Sequence, residues 1–164
     1  MIRNMELKDW PSFLAIQQNE AVNQYIRAID SESVIKQKFA QRLIPWRYES
    51  GDWLTLVIET SDTKEFVGLI GFYCQDAKSQ RAEVGYAIAP TMQGKGDATE
   101  SLQAIIDWGR LQYSIHKYVA VCSSANLGSQ KVLLKTGFIQ EGTLVKHTKM
   151  FNNWVDDYLY GLLT

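Results

Sequence analysis

The apolar positions of this chain change their period along its length. Over about 9–26, Trp10, Phe13, Leu14, Ile16, Val22 and Tyr25 recur at helical spacing, with Asp9 placed to cap the helix and Pro11 inside its first turn. Ser31 is placed to cap a second helix that carries Val34, Ile35, Phe39, Leu43 and Ile44 on one face and is stopped by Pro45. Dense β-forming runs follow at about 53–58, 65–73 and 81–89. Thr60-Ser61-Asp62-Thr63-Lys64 reads as a hairpin loop between the first two, and Gly68 and Gly71 mark bulge or close-packing positions in the second. Helical spacing returns at about 97–113 with Leu102, Ile105, Ile106, Trp108 and Leu111. A buried-type strand at about 117–122 precedes a short helix at about 126–135, which Gly137 is placed to stop. Two last strands, at about 141–150 and 155–163, flank a tight turn at Phe151-Asn152-Asn153-Trp154. The order ααβββαβαββ predicts an α+β fold with a mixed sheet, not a doubly wound one.

Composition narrows this little. A chain of 164 residues, 46% hydrophobic and 21% charged, suits a single globular domain over 1–164. The net charge of −1 gives no general attraction to nucleic acid or to an anionic membrane. Cys74 and Cys122 each lie in a strand-like apolar run and read as reduced core thiols; with His116 and His147 distant in sequence, no metal site is expected. The first residues lack an apolar signal core, and no apolar run approaches the roughly 20 residues of a membrane span. The default expectation is a cytoplasmic protein.

The chemistry is concentrated at Gln93-Gly94-Lys95-Gly96-Asp97-Ala98, between the strand ending near Ala89 and the helix beginning near Asp97. Small residues at a strand-to-helix turn let backbone N–H groups approach an anion, and the helix N-terminus adds a positive dipole end. No Gly-Lys-Ser/Thr closes the turn, so it is not a Walker loop, and the element order does not make a dinucleotide-binding βαβ unit.

Read with its surroundings, the turn resembles a known family. Gln93-x-x-Gly96-x-Ala98 matches the Gln/Arg-x-x-Gly-x-Gly/Ala signature of the Gcn5-related N-acetyltransferases (GNAT). Ala82-Glu83-Val84-Gly85-Tyr86, Ala89-Pro90 and Ala98-Thr99-Glu100 are similar to the central strand and helix start of its RimJ/RimL-type branch. Asn126-x-x-Ser129, Lys135-Thr136-Gly137-Phe138 and Glu141-Gly142 follow in the family's order, and Trp154-x-x-Asp157-x-x-x-Gly161 resembles its closing strand more loosely. The resemblance implies a mostly antiparallel sheet flanked by helices and splayed at its central strands, with acetyl-CoA as co-substrate. It places the pyrophosphate on the turn formed by Gln93, Gly94, Lys95, Gly96, Asp97 and Ala98, with Thr99 behind it, and the pantetheine arm along Ile88 and Ala89. It makes Glu83 the candidate base, acting through water, and Ser129 the hydrogen-bond donor to the departing thiolate, with Asn126 contacting the pantetheine, capping the helix, or both. Strand alternation sets Glu83, Gly85 and Ala87 on one face and Val84, Tyr86 and Ile88 on the other.

Two departures stand out. Asp97 replaces an apolar or aromatic residue and is expected to cap the helix, with Glu100 as its capping-box partner. No tyrosine follows Ser129 where many relatives carry a catalytic one; the segment is Gln130-Lys131-Val132-Leu133.

The acceptor is less legible. Tyr25, Trp46, Tyr48, Trp53, Tyr73, Trp154 and Tyr158 supply aromatics for core, rim or substrate wall, and Glu141, Asp156 and Asp157 are acids that could attract a cationic amine. The branch implies a protein N-terminal amine, of the ribosomal-protein type, with a polyamine or other small amine as the rival. A non-catalytic acyl-CoA-binding regulatory module and a general nucleotide-phosphate binder are the readings from other classes. Either a monomer or a homodimer is compatible with the chain.

Overall fold

The computed structural model describes residues 1–150 and 152–164. Phe151, and with it part of the expected final turn, lies outside the described residues. The strands are β1 (Ile2–Asn4), β2 (Leu56–Glu59), β3 (Phe66–Asp76), β4 (Arg81–Ile88), β5 (Lys117–Ser123), β6 (Ile139–Met150) and β7 (Asn153–Leu163). The helices are α1 (Trp10–Gln18), α2 (Glu20–Asn23), α3 (Glu32–Arg42), α4 (Asp97–Tyr113) and α5 (Leu127–Lys135). The strands form one seven-stranded sheet in the order β1-β2-β3-β4-β5-β7-β6, antiparallel throughout except between β4 and β5. This is the expected α+β architecture with a mixed, mostly antiparallel sheet.

Several local expectations are corrected. β1 is too short to leave a periodic signal and was not foreseen. The first helix is broken at Asn19, whose extended backbone (φ −76°, ψ 116°) ends α1 and whose side chain caps α2 by accepting from Val22 N–H at 3.0 Å. Asp9 does not cap α1. Its carboxylate is taken by Arg3 and by the Glu6 N–H. Ser31 stands at the start of α3, but its hydroxyl bonds Ser33 instead of a helix N–H. β2 begins at Leu56, although Leu54 N–H already reaches Phe72 O at 2.8 Å. Gly137 stops α5 as expected, at φ 88°.

Alternation along the sheet builds two cores. One face carries Leu56, Ile70, Phe72, Val84 and Ile88 and packs on Leu102, Ile105 and Ile106 of α4 and Leu133 of α5. The other carries Val57 and Leu69 and packs on Phe13 and Ile16 of α1 and Ile35 and Phe39 of α3. Leu111 of α4 points to solvent.

Arg3 ties β1 to the rest. Its guanidinium pairs with both oxygens of Asp9 at 2.8 Å and with Glu59 Oε2 at 2.7 Å, and both carboxylates are 7% exposed. The hydrogen bonds from Arg3 hold the Asp9 and Glu59 carboxyls below their ordinary range. Arg3→Met strands these carboxylates and is expected to lower stability at pH 7. A lowered folded-state pKa gives stability that is complete above the unfolded value and lost as pH falls through the folded one. Urea titrations of both proteins should therefore show the gap narrowing as pH drops below about 4.

Candidate active site

β4 and β5 pair only through Arg81↔Lys117, Ala82↔Tyr118 and Glu83↔Val119. Beyond Glu83 they part, while β5 stays paired with β7 as far as Ser123↔Asp157. Glu83 therefore stands at the fork of an opening in the middle of the sheet. Ala89 N–H donates to Val67 O at 2.9 Å. Main-chain groups alternate in an antiparallel ladder, so those of Val84, Tyr86 and Ile88 face the opening. The Ile88 carbonyl accepts there from Gln93 Nε2 at 3.1 Å. Ala89 was expected to pair with a pantetheine arm, but its N–H is taken by Val67 and its carbonyl by Met92 N–H at 2.9 Å. Only Ile88, of the two, presents main chain to the opening.

At the end of β4 the chain turns through Gly94 (φ 81°) and Gly96 (φ 96°), a left-handed conformation costly for other residues. A Cβ at either would meet nothing within 4 Å, so backbone angle, not space, calls for glycine. Among the described residues, the N–H groups of residues 94–98 find no acceptor, whereas those of Thr99 and Glu100 return to Gly96 O at 3.0 and 3.1 Å. A run of free N–H groups at the head of a 17-residue helix is an anion cradle, and its donors come from Gly94, Lys95, Gly96, Asp97 and Ala98. Thr99 contributes no free amide. Asp97 is not the cap. Gly96 holds that position at a positive φ that aspartate adopts only with strain, and Asp97 becomes the first helical residue with no side-chain cap bond. The Lys95 ammonium folds back to Met92 Sδ at 3.2 Å.

The two faces of β4 carry different chemistry. On one, Tyr73 OH donates to Glu83 Oε2 at 2.9 Å, across the register pair Tyr73↔Glu83. Trp53 lies 4.8 Å from the Tyr73 ring, over Gly85, where a Cβ would come within 3.1 Å of the indole. Burial raises the Glu83 pKa and the Tyr73 hydrogen bond draws it back. On the other face, Tyr86 OH lies 2.9 Å from Ser129 Oγ and 3.2 Å from Ser129 O. Asn126 caps α5, its Oδ1 accepting from Ser129 N–H at 3.1 Å, so it fixes where Ser129 begins the helix. Burial pushes the neighbouring Cys122 thiol up, and its contact with Ser129 opposes this. The opening thus has a carboxylate of raised basicity on one side, hydroxyls on the other and an anion cradle at one end.

Over residues 1–139 the chain matches the family described as Acetyltransferase (GNAT) domain. The chain belongs to the GNAT acetyltransferases. It is 28% identical over 164 residues to an uncharacterized N-acetyltransferase, YnaD, of Bacillus subtilis, covering 99% of this chain and 92% of that one. To the ribosomal-protein-serine acetyltransferase of Escherichia coli it is 33% identical over 93 residues, covering 57% of this chain and 51% of that protein. The spermidine N-acetyltransferase of Vibrio cholerae, solved with CoA and spermine, superposes with a TM-score of 0.86 at 20% identity, covering 99% and 94% of the two chains. At that identity the likeness is one of fold. The protein is an N-acetyltransferase of GNAT type, with acetyl-CoA as its acyl donor.

As a GNAT enzyme it has its cradle and central opening on residues that suit the donor: free amides for a diphosphate, and strand edge for an extended arm. The acceptor side is plainer. Glu141 is paired with Lys117 Nζ at 2.7 Å, Asp156 accepts from Lys146 N–H at 2.7 Å, and Asp157 is buried against Thr148. All three acids singled out in the sequence are engaged elsewhere. Trp46 and Tyr48 pack in the core against Phe72 and Tyr113, whereas Tyr73 bonds Glu83 and Trp53 packs on Tyr73 over Gly85. Sequence reasoning missed the Tyr73–Glu83 and Tyr86–Ser129 pairs. The strand alternation around Glu83 was the one signal that could have pointed to Tyr86 on the opposite face.

Proposed function

We propose that the protein acetylates the N-terminal amine of a protein or peptide, in a ternary complex with acetyl-CoA. The observation that carries this reading is Glu83, a single carboxylate of raised pKa at the fork of the opening, while Glu141 is ion-paired with Lys117 and Asp157 is buried. One carboxylate suits one amine, whereas a polyamine calls for several. The similarity to a ribosomal-protein-serine acetyltransferase supports the same acceptor class.

In this mechanism the coenzyme supplies an acetyl group activated as a thioester. The N–H groups of residues 94–98 hold its diphosphate, Gln93 releases the Ile88 carbonyl to the arm, and Trp53 and Tyr73 wall the amine. Glu83, directly or through a water, accepts one amine proton as the N–C bond forms. The C–S bond breaks with its electron pair on sulfur, and the Ser129 hydroxyl donates a hydrogen bond to that charge.

Thiol release, followed with a panel of short peptides beginning with serine or alanine and with spermidine and small amines, tests this. Turnover of the peptides well above spermidine is expected. Turnover of spermidine alone would overturn the acceptor class, and CoA binding without turnover of any amine would overturn catalysis.

A further inference from the structure

We propose that Tyr86 is a positioning residue for thiolate departure: its phenol donates a hydrogen bond to Ser129 Oγ and thereby turns the serine hydroxyl proton into the opening. This rests on the reading of Ser129 as the group facing the coenzyme sulfur. Tyr86 lies three residues past the fork at Glu83, on the β4 face opposite the base, and crosses to the first turn of α5. Its hydroxyl is within reach of two acceptors on one residue, Ser129 Oγ at 2.9 Å and Ser129 O at 3.2 Å. A phenol has one proton, so it bonds one of these at a time. When it donates to the carbonyl, Ser129 is free to donate back to the phenol oxygen and its proton is occupied. When it donates to Oγ, the serine proton is freed from the phenol, and the opening and the neighbouring Cys122 sulfur are its remaining acceptors. The Asn126 cap holds the Ser129 main chain in place during this exchange.

The protons balance without leaving the two hydroxyls. The amine proton goes to Glu83 and the electron pair of the broken C–S bond goes to sulfur, while Ser129 and Tyr86 each keep their own proton. Burial holds the Tyr86 phenol protonated well above neutrality, which suits a hydrogen-bond donor and not a proton donor.

Tyr86→Phe keeps the ring and removes only the hydroxyl. With the full chain, acetyl-CoA and the best amine of the panel, kcat is expected to fall about 10-fold. The KM for acetyl-CoA, the acid limb of the pH profile and Tm should stay at wild-type values. Ser129→Ala should lower kcat at least as far, Ser129→Thr should keep most of it, and the Tyr86→Phe/Ser129→Ala double variant should be no slower than Ser129→Ala alone. Wild-type kcat in Tyr86→Phe beside a slow Ser129→Ala would overturn the proposal. So would multiplicative losses in the double variant, or an effect confined to KM and Tm, which marks a strut. If Ser129→Ala itself turns over at the wild-type rate, the assignment of Ser129 fails, and this proposal with it.

Discussion

Glu83→Gln is expected to lower kcat/KM by about 10²–10⁴-fold, the usual worth of a positioned general base and equivalent to about 3–5 kcal/mol of transition-state stabilisation. Glutamine is isosteric and can still accept from Tyr73 OH, so the bond now 2.9 Å long survives and only proton-accepting capacity is lost. Binding of CoA, measured by calorimetry, should be unchanged. The pH profile carries the sharper signature. Burial makes Glu83 hold its proton to higher pH than an ordinary glutamate, so the wild-type rate in the ternary complex climbs only as pH rises past that raised value. In Glu83→Gln that limb disappears. Tyr73→Phe removes the hydrogen bond that pulls the Glu83 pKa down and should move the limb further up. A Glu83→Gln enzyme with wild-type kcat/KM would mean that water alone removes the amine proton.

Phe72→Ala carries the largest expected stability loss, about 3–5 kcal/mol. Phe72 is fully buried on β3, between its neighbours Leu54 and Val84. Its ring lies 5.6 Å from Trp46, 5.9 Å from Trp108 and 6.0 Å from Tyr118, so it joins the segment before β2, the helix α4 and the strand β5. These partners belong to three separate elements and cannot close together on the vacated volume. The transfer loss is therefore joined by a cavity penalty and by the loss of several tilted ring contacts. Against a total stability of about 5–15 kcal/mol this is a large share, and it corresponds to a fall in Tm of roughly 10 °C. Urea unfolding should show a lower midpoint with an unchanged slope. A loss under about 1 kcal/mol would show that the aromatic cluster repacks freely.

The parts of the fold that could be read along the chain are those fixed by short-range rules. Gly94 and Gly96 announce a turn that needs positive φ, and the alternation of Glu83, Gly85 and Ala87 against Val84, Tyr86 and Ile88 fixes two faces from the strand period alone. What escaped depends on register or on partners far away. Tyr73 meets Glu83 only because β3 and β4 pair in one register, which shifts between Cys74 and Asp76 near their turn. Tyr86 and Ser129 are separated by 43 positions. Asp9 and Asp97 both looked like caps, because aspartate before a helix usually is one. Asp9 instead answers to Arg3, and Asp97 sits one residue inside a helix that Gly96 starts. Three-residue β1 and the break at Asn19 carry too few positions for any period to appear.

Because β4 and β5 share so short a parallel seam, the sheet consists of two antiparallel blocks, β1–β4 and β5–β7, joined across the helix α4. Within the blocks, β2–β3, β3–β4 and β6–β7 pair strands that are adjacent in sequence, whereas the seam is bridged by the whole α4 crossover. Only three residue pairs of strand pairing hold the two blocks together at the seam. In the proposed reaction the substrates bind at that joint, so a coenzyme that bridges both blocks is expected to raise the stability of the native state by RT ln(1 + [L]/Kd).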